Sequence, residues 1–333
     1  MLGTFENPDR YLKEPEKAVD VLMLSLDADR YLEKCLDSVY REIPVKRIIV
    51  CDGGSKDRTV ELFNSYPRVE FHVRPDIRTT GKGYEFLFQQ IESPWFALID
   101  TDVELVPGWY DEMCSYQDQY DFYECKRIMA YSFYREIAVS TDMTARSLSG
   151  CQMGRKEAFA QYHCDDDYIW RTADLFANQQ VVKAGYKYGK VATTHHLHHT
   201  GEGERYVSDS EKKGTGFIFK EPEQIFKSDH AWGEMMLKHA RAVVKYLDPD
   251  FLNYKRLAVW LRLLDRKYIE ETNPKWLPYR GGFWKIYYKE IKFSFEFTFK
   301  YFLSFPLKLT RALKERQMKD PVRRTQLALK QKK

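Results

Sequence analysis

Short apolar runs alternate with amphipathic stretches through the first third of the chain. VDVLMLSL (residues 19–26), VKRIIVCD (45–52) and FALIDTDVEL (96–105) are rich in branched residues and read as buried strands. After the first run, Tyr31, Leu32, Cys35, Leu36 and Val39 recur at helical spacing. After the second, Val60, Leu62 and Phe63 do the same behind Ser55 and Asp57, either of which can cap a helix. Strand, helix, strand, helix predicts an α/β fold with parallel strands, and in such open sheets ligands sit beyond the carboxyl ends of the strands. Asp27, Asp52 and Asp100 all fall at such ends.

The third run ends in Asp100 and Asp102. Side chains at i and i+2 of an extended chain point to the same side, so these carboxylates are expected to converge where the strand runs out. Oxygen ligands of this kind suit magnesium or manganese, which are commonly shared between carboxylates and the phosphates of a substrate. Asp-X-Asp also occurs at solvated strand ends, and it is the acids at the two neighbouring strand ends that favour a binding site.

From residue 230 the pattern becomes helical: Trp232, Met235, Met236, His239, Val243, Val244 and Leu247 follow helical spacing, and LAVWLRLLDRKYI continues it. In the next, aromatic segment, Phe293, Phe295, Phe297, Phe299 and Tyr301 alternate with period two, which fits a strand or a helix aromatic on most sides. No window of eighteen residues there is free of charge, so a membrane-spanning helix is not expected. From Pro306 to Lys333 ten lysines and arginines face two acids, a net of +8 in a chain whose total is +4. Such a tail, following aromatics, can settle on an anionic membrane surface, or it can be simply a solvated basic segment. None of the usual nucleic-acid-binding modules appears, so no nucleic-acid partner is expected.

A chain of 333 residues with 44% hydrophobic content can hold one catalytic domain and an extension. Its six cysteines show no regular framework, and Cys35, Cys51 and Cys125 lie in apolar segments, as reduced thiols of the cytosol do. Residues 1–20 lack the apolar core of a secretory leader. The expected location is cytoplasmic, with the basic tail able to reach the inner face of a membrane.

Four blocks, VDVLMLSLDADRYLEKCLDSVYREI, RIIVCDGGSKDRTVELF, GKGYEFLFQQIESPWF and ALIDTDVELVPGWYDEM, resemble in order and spacing the nucleotide-sugar-binding half of the family-two glycosyltransferases. The resemblance implies a GT-A fold, a Rossmann-like and mostly parallel mixed sheet flanked by helices, here with a C-terminal helical extension. It implies an inverting transfer of a sugar from a nucleoside diphosphate, UDP- or GDP-linked, to a glycan or lipid-linked acceptor. By the same resemblance Asp52 reads the nucleobase edge, Leu26 and Asp27 belong to the loop enclosing the base, Lys82 lies near the diphosphate, Asp100 and Thr101 contact the nucleotide sugar, and Asp100 and Asp102 form the metal motif for Mn2+ or Mg2+. The chain departs from the family in having Asp52-Gly53 where paired aspartates are usual, and Asp-Ala-Asp in the first loop where Asn-Glu is frequent.

The implied layout is a lead over residues 1–18, a donor half over 19–113, an acceptor half over 114–229, an extension over 230–305 and a tail over 306–333. In the acceptor half, CDDDYIW (164–170) crowds Asp165, Asp166 and Asp167, and crowding raises the pKa of at least one carboxylate. A sugar hydroxyl needs a positioned base, and the resemblance gives that role to Asp166, with Asp165 and Asp167 as alternates. The same run also reads as an acid-rich helix start. SGCQMGRKEAF (149–159) resembles the segment that precedes this acid.

THHLHHT carries four histidines in five residues. The family often ends its catalytic domain with a histidine that completes the metal site, and with Leu197 turned to the core, strand parity singles out His196 and His198. A separate zinc site is the alternative, although no paired cysteine spacing accompanies the histidines. Residues 201–219, glycine-rich and charged, read as a loop over the donor or a plain connector. Two rival readings are a nucleotidyltransferase, which lacks here a glycine-rich basic loop after its first strand, and a non-catalytic membrane-associated scaffold.

Overall fold

The computed structural model describes residues 9–77, 79–131, 139–140, 150–165, 169, 173–200, 230–249 and 264–280. The chain divides into two compact units, residues 1–277 and 278–333, and the sheet with its flanking helices belongs to the first.

The element order is β1 (Val19–Ser25), α1 (Asp29–Glu42), β2 (Val45–Asp52), α2 (Thr59–Asn64), β3 (Val69–Val73), α3 (Thr80–Gln89), β4 (Trp95–Ile99), β5 (Val103–Leu105), α4 (Trp109–Cys114), β6 (Phe122–Tyr131), β7 (Val139–Ser140), β8 (Cys151–Arg155), α5 (Ala173–Lys183), β9 (Tyr188–Thr200), α6 (His230–Tyr246) and α7 (Arg266–Thr272). Among the described residues nine strands form one sheet in the order β3-β2-β1-β4-β8-β6-β9-β5, with β7 beside β6. β3, β2, β1 and β4 run parallel; β8 is antiparallel to both β4 and β6, β6 is parallel to β9, and β5 antiparallel to β9. A parallel half with helical crossovers, continued by a mixed half, is the GT-A arrangement that the resemblance implied.

β1 lies between β2 and β4 and is buried along almost its whole length, so its sequence is a continuous apolar run instead of an alternating one. Its one acid is tied down. The buried Asp20 carboxylate accepts the backbone N–H groups of Glu92 and Ser93 and the Arg47 guanidinium, joining β1, β2 and the turn before β4. Burial alone would push that carboxyl up, but Arg47 and the two N–H groups outweigh it and hold the group below its ordinary range.

α1 buries Leu32, Cys35, Leu36, Val39 and Tyr40 against the sheet, the stripe its spacing predicts. Of the two expected caps for α2, Asp57 accepts the N–H of Thr59, whereas Ser55 turns its hydroxyl to Asp52. The expected helix over 230–247 is present as α6, anchored through Gln179 of α5, whose amide bonds the carbonyl of Tyr246 and the N–H of Asp248. α7 starts at Asp265, whose carboxylate accepts from Lys267 N–H. No helix among the described residues is long and apolar enough to cross a membrane. Asp166, Asp167, the loop over 201–219, the aromatic alternation over 293–301 and the basic tail lie outside the described residues.

Candidate active site

The loops that leave β1 and β2 are stitched together at the sheet rim. Asp27, at φ 47°, takes a left-handed conformation that aspartate tolerates better than most residues. Its N–H donates to the Ser55 hydroxyl, and its carboxylate accepts the Lys56 N–H at 2.8 Å. Asp52 is fully buried and accepts the N–H groups of Gly54 and Ser55 and the Ser55 hydroxyl. Leu26 beside it is 62% exposed, an apolar surface at the mouth of this loop pair.

Lys82, in the first turn of α3, pairs with Glu85 at 3.6 Å. Glu85 in turn bonds His163, whose other ring nitrogen pairs with the exposed Asp165. The glycine before Lys82 has a packing reason. A Cβ on Gly81 would come within 2.7 Å of the Cys164 sulfur and the Ile169 carbonyl, so α3 sits against that segment only through a bare backbone.

Asp100 and Asp102 follow β4 directly, flanking Thr101 in a turn. β5 then pairs with β9, setting Val103 opposite His198, and the N–H of His199 donates to the carbonyl of Asp102 at 2.8 Å. This register brings the His198 ring to the acids: its Nε2 lies 3.3 Å from Asp102 Oδ2, and donor atoms of Asp100, Asp102 and His198 all fall within 4.8 Å of one another. Gly150, at φ 68°, closes the other side, where a Cβ would lie 2.3 Å from Asp100 Oδ2. Burial, then the charges of Asp102 and Asp174, push the Asp100 carboxyl well above its ordinary range. Burial likewise raises Asp102. Burial and the nearby Arg127 push His198 down to about 3, so its imidazole stays neutral and keeps a lone pair for a metal. Two crowded carboxylates and a neutral imidazole whose buried Nδ1 finds no partner among the described residues fit a divalent cation.

Of the histidines singled out by parity, only His198 meets the acid pair. His196 shares its side of β9, with ring centroids 6.2 Å apart, but is fully buried and places Nδ1 3.2 Å from Cys125 Sγ. His199 turns the other way, bonding Glu104 at 2.8 Å and stacking on Tyr31.

One acid in this cluster was not singled out from the sequence. Asp174 opens α5 and accepts a hydrogen bond from the Tyr84 hydroxyl of α3, 90 residues away in the chain. Burial raises its carboxyl to about 6 and the charge of Glu124 adds to that, while Tyr84 and Arg127 pull in the opposite direction. Arg127, on β6, acts electrostatically on Asp100, Asp102, Asp174 and His198 alike. Its signal in the sequence is a lone aspartate at the start of ADLFANQQVVK, a few residues after the crowded acids of 165–167.

Residues 20–171 match the family model described as glycosyl transferase family 2. This stretch, just under half of the chain, is a family-2 glycosyltransferase domain, and its class of activity is glycosyl transfer. Among solved structures, the chain is similar to S. aureus TarS 1-349 in complex with UDP-GlcNAc, at 15% identity over 81% of each chain with a TM-score of 0.47. It is similar to GalNAc-T7 with UDP, GalNAc and Mn2+, at 12% identity over 77% of this chain and 54% of that one with a TM-score of 0.48. It is also similar to glucosyl-3-phosphoglycerate synthase from Mycobacterium tuberculosis, at 15% identity over 61% and 78% of the two chains with a TM-score of 0.43. No curated protein sequence matches the chain.

Proposed function

We propose that the protein moves one sugar from a nucleoside diphosphate to an acceptor hydroxyl with inversion at the anomeric carbon, and that Asp174 is the base. The observation that carries this reading is the convergence of donor atoms of Asp100, Asp102 and His198 within 4.8 Å of one another just after β4, with the Asp174 carboxylate close enough to raise that of Asp100. Asp100, Asp102 and His198 would hold Mn2+ or Mg2+, which when bound supplies positive charge to offset that developing on the leaving diphosphate. The loop pair around Asp27 and Asp52, with the exposed Leu26, is the seat for the nucleobase. Lys82, on the first turn of α3, serves the diphosphate, and Thr101 lies between the two acids that face it.

Asp174 suits the base role for a stated reason. A carboxyl raised to about 6 is still largely ionised at neutral pH, yet is far better at taking a proton than an ordinary aspartate. As the acceptor oxygen bonds to the anomeric carbon, its proton passes to Asp174 and the bond to the diphosphate oxygen breaks. Asp165, exposed and paired with His163, is less suited. Asp166, the base of the sequence reading, and its alternate Asp167 lie outside the described residues. The acceptor is proposed to be a glycan or lipid-linked hydroxyl, reached from the cytoplasmic face with help from the basic tail.

The test is a thermal-shift panel of UDP-, GDP- and dTDP-sugars with manganese, since a ligand that binds only the folded chain raises its melting temperature. One donor should stabilise the wild type in a manganese-dependent way and lose that dependence in Asp102→Ala. A donor shift equal in both proteins, or no shift with any nucleotide sugar, would refute the assignment.

A further inference from the structure

Behind the acid site, two cysteines and a histidine meet in the core. Cys125 lies on β6 one step beyond the paired Glu124 and Gln152, so that it faces Cys151, the first residue of β8, across the antiparallel ladder. His196 comes from β9, on the other side of β6. All three are buried, Cys151 and His196 completely, and one donor atom from each falls within 4.8 Å of the other two. The ladder between β6 and β9 breaks register between Cys125 and Lys126, where a bulge on β9 lets His195 and His196 resume pairing after an interruption at Val191.

We propose that Cys125, Cys151 and His196 bind a thiophilic divalent cation, zinc, at a structural centre separate from the acidic site. The donor set is the argument. Thiolate and imidazole together select zinc over magnesium or manganese, whereas the carboxylates of Asp100 and Asp102 are ligands that harder ions accept. The surroundings fit as well: Trp109 Nε1–H points at Cys125 Sγ from 3.2 Å, the kind of outer hydrogen bond that stabilises a metal-bound thiolate. His196 Nδ1 lies 3.2 Å from Cys125 Sγ, so an imidazole nitrogen stands directly beside the thiols in the core. Such a centre would clamp β6, β8 and β9 together and fix the strand that carries His198 to Asp102.

The experiment uses the intact chain and does not depend on transfer activity. Protein produced with zinc is freed of loosely held metal, its zinc is counted, and the absorption edge of the bound zinc is measured. The expected result is one zinc per chain with sulfur neighbours at about 2.3 Å. Protein produced with cobalt should show a thiolate-to-cobalt charge-transfer band that Cys125→Ser removes and Asp102→Ala leaves in place. Zinc well below one per chain, a shell of oxygen and nitrogen alone, or a Cys125–Cys151 disulfide in the purified wild type would each overturn the proposal. These wild-type readings decide the matter even if the serine variant fails to fold.

Discussion

The hydroxyl of Tyr84 on α3 hydrogen-bonds the carboxylate of Asp174 at the start of α5. That bond favours the ionised carboxylate and so opposes the rise that burial imposes on it. Tyr84→Phe removes the bond and keeps the ring, so the Asp174 pKa should rise further. The acid limb of the kcat/KM profile should then move to higher pH, with turnover at the alkaline plateau changed little. A limb that stays put or moves to lower pH would separate Asp174 from the titration that controls the rate.

Asp20 supports stability instead of chemistry. Its folded pKa lies below the unfolded value, so its contribution is present above the ordinary carboxylate range, near pH 4, and is lost as pH falls through the folded value. Asp20→Asn leaves the Arg47 charge facing an uncharged amide and should cost about 3 kcal/mol at pH 7. Urea melts of both proteins from pH 7 downward check this: the two stability curves should converge as the pH falls, and parallel curves would contradict it.

The tail makes a separable prediction. With ten basic residues against two acids over 306–333, the full chain should sediment with vesicles containing anionic lipid and do so less at high salt, whereas a chain ending at residue 305 should remain in the supernatant. Equal sedimentation of the two would remove the tail from any membrane role.

How much of this was legible in the sequence varied with the kind of contact. β1, β2 and β4 announced themselves because strands buried on both faces must be apolar throughout, and Asp100 with Asp102 because a period of two is local. β3 was passed over: VEFHV is short, half exposed and at the sheet edge. The insertion of β8 between β4 and β6 left no local mark either, since CQMGR has neither alternation nor a branched run. That insertion is what brings Cys151 to Cys125, a pair assembled across strands that no local cysteine spacing reveals. Parity on β9 groups His196 with His198, but its premise that Leu197 turns to the core fails, since His196 is fully buried and Leu197 only half-buried; the β5 register decides which histidine reaches Asp102. The contact of Asp174, the proposed base, is equally non-local, its partner Tyr84 being 90 residues away.

The most direct test of the central claim is single-turnover transfer with the cognate donor in Asp174→Asn and Asp166→Asn, each with donor binding measured alongside. The account predicts that Asp174→Asn binds donor and manganese as the wild type does while transfer falls about 10²- to 10⁴-fold, the range that a positioned base supplies, and that Asp166→Asn retains most of its rate. Near wild-type transfer in Asp174→Asn, with the loss found in Asp166→Asn, would contradict it.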